Sequence, residues 1–176
     1  DKMGGLRDFC KNELGKGIVN CNDTPGFIGN RIGVYAMQVA MYEALERGLP
    51  VEIADALFGR PLGIPKTGVF GLYDLIGIDL MKDVLASFKK ELQENDPFMD
   101  VVKPHPLVEQ LLEKGFNGNK GPGGFYQTTI VEGDEHVKAM NTSDMSYYDF
   151  DKVDLEIARR VEKEGIKALL DDDSEY

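Results

Sequence analysis

The 176-residue sequence predicts an all-α domain, a bundle of helices of unequal length. Two observations predict it. Apolar residues recur at helical spacing in one stretch after another, while only one short run reads as a strand. A single long segment, centred near residue 37, is apolar around most of its circumference, the mark of a helix that others surround.

The elements follow in order. In LRDFCKNELG, Leu6, Phe9, Cys10 and Leu14 take helical spacing, and Gly15 with Gly17 closes the element. Ile18 to Cys21 then reads as a strand. A lone strand leaves its backbone groups unpaired, so its partners are expected before residue 1 or in another chain. The opening residues read like the middle of a folded domain, and the chain is expected to be a piece of a longer protein.

From Pro25 or Phe27 to about Arg47 one long helix is expected, opened by Thr24-Pro25 and stopped by Gly48. Phe27, Ile28, Ile32, Val34, Tyr35, Met37, Val39, Met41 and Leu45 cover most of its surface, which places it at a bundle centre or an interface. Pro50 to Phe58 is a short helix with Ile53, Ala54 and Leu57 on one face. After the connector GRPLGIPKTG come helices over Phe70 to Ile76 and Leu80 to Gln93, the second with Leu80, Val84, Leu85, Phe88 and Leu92 inward. Leu107 to Lys114 follows the NDPFMDVVKPHP loop. The turn-rich GFNGNKGPGGFY ends on Phe125 and Tyr126, expected to pack back on the bundle. Gln127 to Phe150 shows little periodicity and is expected to be extended and partly flexible. Lys152 to Leu170 closes as an amphipathic helix with Val153, Ile157, Val161, Ile166 and Leu169 on its apolar side.

Charge narrows the function classes. The net charge is -11, and residues 127–176 hold 14 acids against 6 bases, which is -8 of it. An acidic chain repels phosphate backbones, so nucleic acid is not an expected partner. No apolar run approaches the ~20 residues of a membrane helix, and no secretion signal opens the sequence. Two cysteines, Cys10 and Cys21, are too few for a disulfide framework and are expected to be reduced, partly buried thiols, which points to the cytoplasm.

The usual catalytic groups find no company. His105 lies between two prolines and His136 in the acidic tail, neither with an orienting carboxylate, so both read as surface residues. GNKGPGG lacks the Lys-Ser/Thr and the following helix of a phosphate loop, so it reads as a tight turn. Its Lys120 stays free to offer a cation to an anionic ligand. No Cys/His cluster has zinc spacing, no acid pair matches a calcium loop, and Asp74 and Asp79 read as helix caps. No catalytic residue and no metal ligand is assigned. Asn30 remains, an amide on a mostly apolar helix. It is either satisfied inside the fold, the simpler reading of the residues alone, or aimed at a ligand.

Taken together these segments resemble the C-terminal domain of the L-3-hydroxyacyl-CoA dehydrogenases. The resemblance runs through Asp23-Thr24-Pro25-Gly26-Phe27-Ile28 with Asn30-Arg31, then Gly68-Val69-Phe70 with Leu72-Tyr73-Asp74, then Gly77-Ile78-Asp79, and closes on Lys120-Gly121-Pro122-Gly123-Gly124-Phe125-Tyr126. It covers roughly residues 6–126, and Val69 departs from it where the family has proline. The resemblance implies an NAD-dependent enzyme of fatty-acid β-oxidation with an acyl-CoA substrate. It implies residues 1–22 as the end of an NAD-binding Rossmann domain, 23–126 as the helical substrate and dimerisation domain, and 127–176 as an acidic linker and helix toward a further module of a multifunctional enzyme. Asn30 is implied as a substrate-binding amide and Lys120 as a residue reaching NAD. The dinucleotide glycines and the family's His–Glu pair are implied to lie upstream, so the chain alone is expected to be inactive. A homodimer, or pairing with a second helical copy, is the implied assembly. The alternative reading is a non-catalytic helical interaction module.

Overall fold

The computed structural model describes residues 2–63, 66–165 and 167. The long helix is present as α2, Phe27–Glu46. It begins where Gly26 and Phe27 both take left-handed backbone angles (φ 84 and φ 50) and the Phe27 amide donates to the Thr24 carbonyl at 3.1 Å. Glycine accepts that angle freely. Phe27 does not, and the turn holds it there.

One side of α2 buries Val34, Met37, Ala40, Met41 and Ala44. Around it pack α3 (Val51–Leu57), α4 (Phe70–Ile76), α5 (Ile78–Glu91) and α6 (Pro106–Glu113). Phe125 returns to this core as expected: it is fully buried, with its ring 4.6 Å from that of Phe70 and 6.2 Å from Tyr73. Burying such a ring contributes roughly 2–3 kcal/mol.

Several expectations need correction. The fold is not all-α. It is mostly helical, with a three-stranded antiparallel sheet, β1 (Tyr126–Val131), β2 (Asp134–Met140) and β3 (Tyr147–Asp149), in the order β1-β2-β3. The stretch expected to be extended and flexible is thus a paired sheet. Glu132 and Gly133 make the hairpin turn, both at positive φ, the geometry that matches strand twist. Its periodicity was faint for a physical reason. The outer part of the hairpin is wet on both faces, and within β2 only Ala139 and Met140 are buried.

Ile18 to Cys21 forms no strand, because no ladder reaches it among the described residues. The preceding helix, α1 (Lys2–Asp8), continues as a π-helical turn over Phe9–Glu13, and neither buries a residue. Cys10 is half-buried, but Cys21 is exposed. In α5 the inward stripe is Ile78, Met81, Leu85, Phe88 and Leu92, while Leu80 faces out. The helix starts two residues earlier than its apolar pattern implied because Gly77 (φ 103) breaks the chain there. The last helix, α7, spans Glu156–Glu164 and buries Val161 beside the short 3-10 turn Arg60–Leu62. Ile166 and Leu169, expected on its apolar side, lie outside the described residues.

Candidate functional site

Asn30 sits in the first turn of α2, exposed. Its amide makes no side-chain hydrogen bond among the described residues, so the simpler reading, satisfaction inside the fold, does not hold. Its neighbours divide sharply. Phe27, Ile28, Ile32, Tyr35 and Val39 are exposed, with Phe27 and Ile32 each at 66%. Arg31 instead turns to Asp96, its Nη2 donating to both carboxylate oxygens at 2.7 and 2.6 Å. Hydrogen bonding from Arg31, then from the Phe98 amide, holds the Asp96 carboxyl below its ordinary range. This ion pair anchors the start of α2, and the free amide is presented from an anchored turn.

Lys120 stands elsewhere, on the loop between α6 and β1. That loop is closed by Gly118, whose amide donates to the Gly123 carbonyl at 2.9 Å, and by Gly121, whose amide donates to Gly118 at 2.9 Å. The expected tight turn is present. Lys120 is exposed, and its ammonium lies over Gly77: a Cβ there would come within 2.8 Å of both Lys120 Nζ and Asp79 Oδ1. The Asp79 carboxyl is held low by hydrogen bonding from Asn117 and the Leu80 amide, with the Lys120 charge adding to it. Asp79 falls in the first turn of α5, not at its cap. No hydrogen bond or ion pair joins Asn30 to Lys120 among the described residues.

Sequence reasoning missed what braces this loop. Asp74 is no helix cap. It is 2% exposed, and it accepts from the Phe125 amide at 3.0 Å through Oδ1 and from the Tyr126 amide at 2.7 Å through Oδ2. Its carbonyl also accepts from the Asn119 amide at 2.9 Å. One residue therefore holds both stems of the Lys120 loop. The fit leaves no room for side chains, since a Cβ on Gly124 would sit 2.0 Å from Asp74 Oδ1 and one on Gly118 would sit 2.4 Å from the Asp74 carbonyl oxygen.

Asp55 works alongside it. It accepts from the Phe70 amide (2.7 Å), the Gly71 amide (2.9 Å) and the Tyr126 hydroxyl (2.9 Å). It thereby supplies the acceptor that α4 lacks at its own N-terminus. Burial pushes the carboxyls up, Asp55 to about 6 and Asp74 to about 7, against the opposing pull of the amides they bind. The signal in the sequence was slight: an Asp on the apolar side of α3, and a helix without a capping side chain.

His105 is half-buried, not the plain surface residue expected. It caps α6, its Nδ1 accepting from the Leu107 amide at 3.2 Å, and its ring stands edge-on to Tyr42 at 5.2 Å. Partial burial pulls its pKa down. His136 is exposed. Among the described residues no group of three or more His, Cys, Asp or Glu could hold a metal ion, and no helix is long and apolar enough to cross a membrane.

The family model for the 3-hydroxyacyl-CoA dehydrogenase C-terminal domain matches residues 26–128, from the start of α2 into β1. The chain belongs to this family. It is 39% identical over 147 residues, 84% of its length, to a protein of Rickettsia prowazekii named as a fatty acid oxidation complex trifunctional enzyme, of which it covers 20%. It is 37% identical over 124 residues, 69% of its length, to the mitochondrial hydroxyacyl-coenzyme A dehydrogenase of Rattus norvegicus, of which it covers 37%. Among solved structures, FadB2 of M. tuberculosis superposes with a TM-score of 0.56 at 28% identity, over 72% of this chain and 42% of that one. The chain thus spans about a fifth of the trifunctional relative. The 3-hydroxyacyl-CoA dehydrogenase match includes Asn30, Asp55, Asp74 and Lys120, and it stops at Thr128, short of most of the sheet.

Proposed function

We propose that these residues form the substrate-side helical part of an NAD-dependent L-3-hydroxyacyl-CoA dehydrogenase, which oxidises 3-hydroxyacyl-CoA to 3-oxoacyl-CoA in fatty-acid β-oxidation. One observation carries the reading at the level of residues: an exposed amide, Asn30, with no hydrogen-bond partner among the described residues, on a turn that the Arg31–Asp96 pair anchors. An amide N–H can donate to the thioester or 3-oxo oxygen of the acyl group and orient it. Asn30 is the substrate-binding residue in this reading, and the exposed Phe27, three residues earlier on the same side of α2, offers apolar surface to the acyl group.

Lys120 is assigned to the cofactor. A single exposed ammonium on a braced loop fits one contact to a nicotinamide dinucleotide. NAD, when bound, accepts the hydride from C3 of the substrate. No residue of this chain is assigned the 3-hydroxyl proton, since His105 is committed to capping α6 and His136 stands out on the hairpin. Residues 1–22 are then the end of the NAD-binding domain, 23–126 the substrate and dimerisation domain, and 127–176 the passage to a further module. The exposed face of Phe27, Ile28, Ile32, Tyr35 and Val39 fits pairing with a twin or a second helical copy in the cytoplasm. That same face favours the second reading, a helical interaction module without catalysis.

Kinetics separate the two. The 176-residue chain alone is expected to oxidise no NADH with acetoacetyl-CoA. In the polypeptide that joins these residues to an NAD-binding part, Asn30→Ala should lower kcat on the order of 10²-fold, the usual loss for one oriented donor at a reacting oxygen. Turnover by the isolated chain, or an unchanged kcat in the Asn30→Ala enzyme, would overturn the assignment.

A further inference from the structure

A cavity lies away from Asn30, among α2, α4, α5 and the segment leading into α6. Its volume is about 190 Å³. Its walls are Met41, Met81, Leu85, Val102 and Val108, all buried. At its floor the buried polar atoms are already engaged: Tyr73 Oη donates to Gln38 Oε1, and Gln38 Nε2 donates to the Val101 carbonyl at 2.7 Å. A polar ligand would therefore find little to bind inside, whereas an apolar group loses nothing by entering. An apolar cavity of roughly 150 Å³ suffices for benzene, so this one suits an apolar portion of about six heavy atoms. Two methionines in the wall give it adaptable shape.

The mouth has the opposite character. On α5, Lys82, Leu85, Ala86 and Lys89 line the cavity at helical spacing i, i+3, i+4 and i+7. The two lysines stand about 10 Å apart along the helix, and the small Ala86 leaves the gap between them open. His105 completes the rim. With Nδ1 accepting from the Leu107 amide, its neutral ring carries the proton on Nε2 as a further donor. Among the described residues no carboxylate lines this cavity, in a chain of net charge -11. Glu46, whose field reaches His105, is not among the lining residues.

We infer that this cavity is a binding site for a small amphipathic monocarboxylate, its aliphatic or aromatic tail among Met41, Met81 and Leu85 and its carboxylate held at the rim by Lys82 and Lys89. The site is independent of the one proposed around Asn30.

The test is a titration of the full chain with hexanoate, following the methyl resonances of its methionines by NMR. Saturable shifts of Met41 and Met81 are expected, with a Kd on the order of 1 mM for so small a ligand. Acetate, without a tail, should leave them unmoved. Reversing the rim charges with Lys82→Glu and Lys89→Glu together should weaken hexanoate roughly fivefold or more while leaving hexan-1-ol binding unchanged. Ala86→Leu, a surface substitution that plugs the mouth, should abolish both, and Asn30→Ala should affect neither. Shifts confined to other residues, hexanoate binding no tighter than hexan-1-ol, or loss of binding in Asn30→Ala would each overturn the inference.

Discussion

Asp74→Asn tests the brace under the Lys120 loop. In the wild-type fold both oxygens of Asp74 accept a backbone amide, from Phe125 and from Tyr126. Asparagine keeps the volume but replaces one acceptor with a donor. Whichever way it flips, one amide is left unpaired in a buried site, at a cost of roughly 1–3 kcal/mol. At pH 5 the raised pKa keeps Asp74 protonated and its two oxygens still face both amides, and because the site is dry the loss falls in the upper part of that range, about 2–3 kcal/mol. In a chain of this length that lowers Tm by about 4–10 °C. The pH dependence gives a second handle. Burial raises the folded-state pKa of Asp74 from the ordinary 3.8 to about 7. Between those values the folded chain binds a proton that the unfolded chain releases. The contribution is full below pH 3.8 and is lost as pH rises through 7. Asparagine does not titrate, so the stability gap between wild type and variant should narrow between pH 5 and pH 8, by about 1–3 kcal/mol. Isothermal urea unfolding at both pH values measures it. A variant within about 0.5 kcal/mol of wild type at pH 5 would refute the brace. A gap that widens with pH would refute the claim that burial outweighs the amide bonds.

Three further outcomes follow from the same geometry. Asn30→Ala removes an exposed amide that has no partner among the described residues, so the chain's Tm should move by no more than about 1–2 °C, and a large drop by calorimetry would mean Asn30 is structural. Arg31→Met should cost roughly 1–3 kcal/mol at pH 7, because the half-buried Asp96 loses its ion-pair partner. Since Asp96 is held below the ordinary carboxyl range, its contribution is present above that range, so the cost should fade as pH falls through the lowered value in acid unfolding curves. Gly68→Ala places a Cβ 2.5 Å from the Asp55 Cα at a positive φ of 67, so it should cost more than about 2 kcal/mol in urea unfolding, and a neutral result would contradict the packing of α3 on α4.

Much of the helical part was legible in the sequence because its signals are local. The spacing of Val34, Met37 and Met41, the Thr24-Pro25 opening and the stop at Gly48 act within a few residues of one another, and α2 runs where they place it. The motif around Asn30 and Lys120 was equally readable, and the family match covers both. The sheet was not readable. Its pairing of Tyr126 with Ala139 joins residues thirteen apart, and exposed outer strands leave no alternation of burial to read. Ile18 to Cys21 was overread for the converse reason, since β-branched residues favour a strand only where a neighbour can pair with them.

The sequence by itself determined where the long helix α2 begins and ends, which family the chain belongs to, and which amide and which cation to watch. Only the tertiary structure decided that Asn30 is exposed, that Arg31 is spent on Asp96, and that Asp55 and Asp74 bind amides fifteen and fifty-one residues away. The physical reason is that hydrogen bonding and burial of a carboxylate depend on what long-range packing brings beside it. A side chain's type sets what bonds it can make, and the fold sets whether they are made.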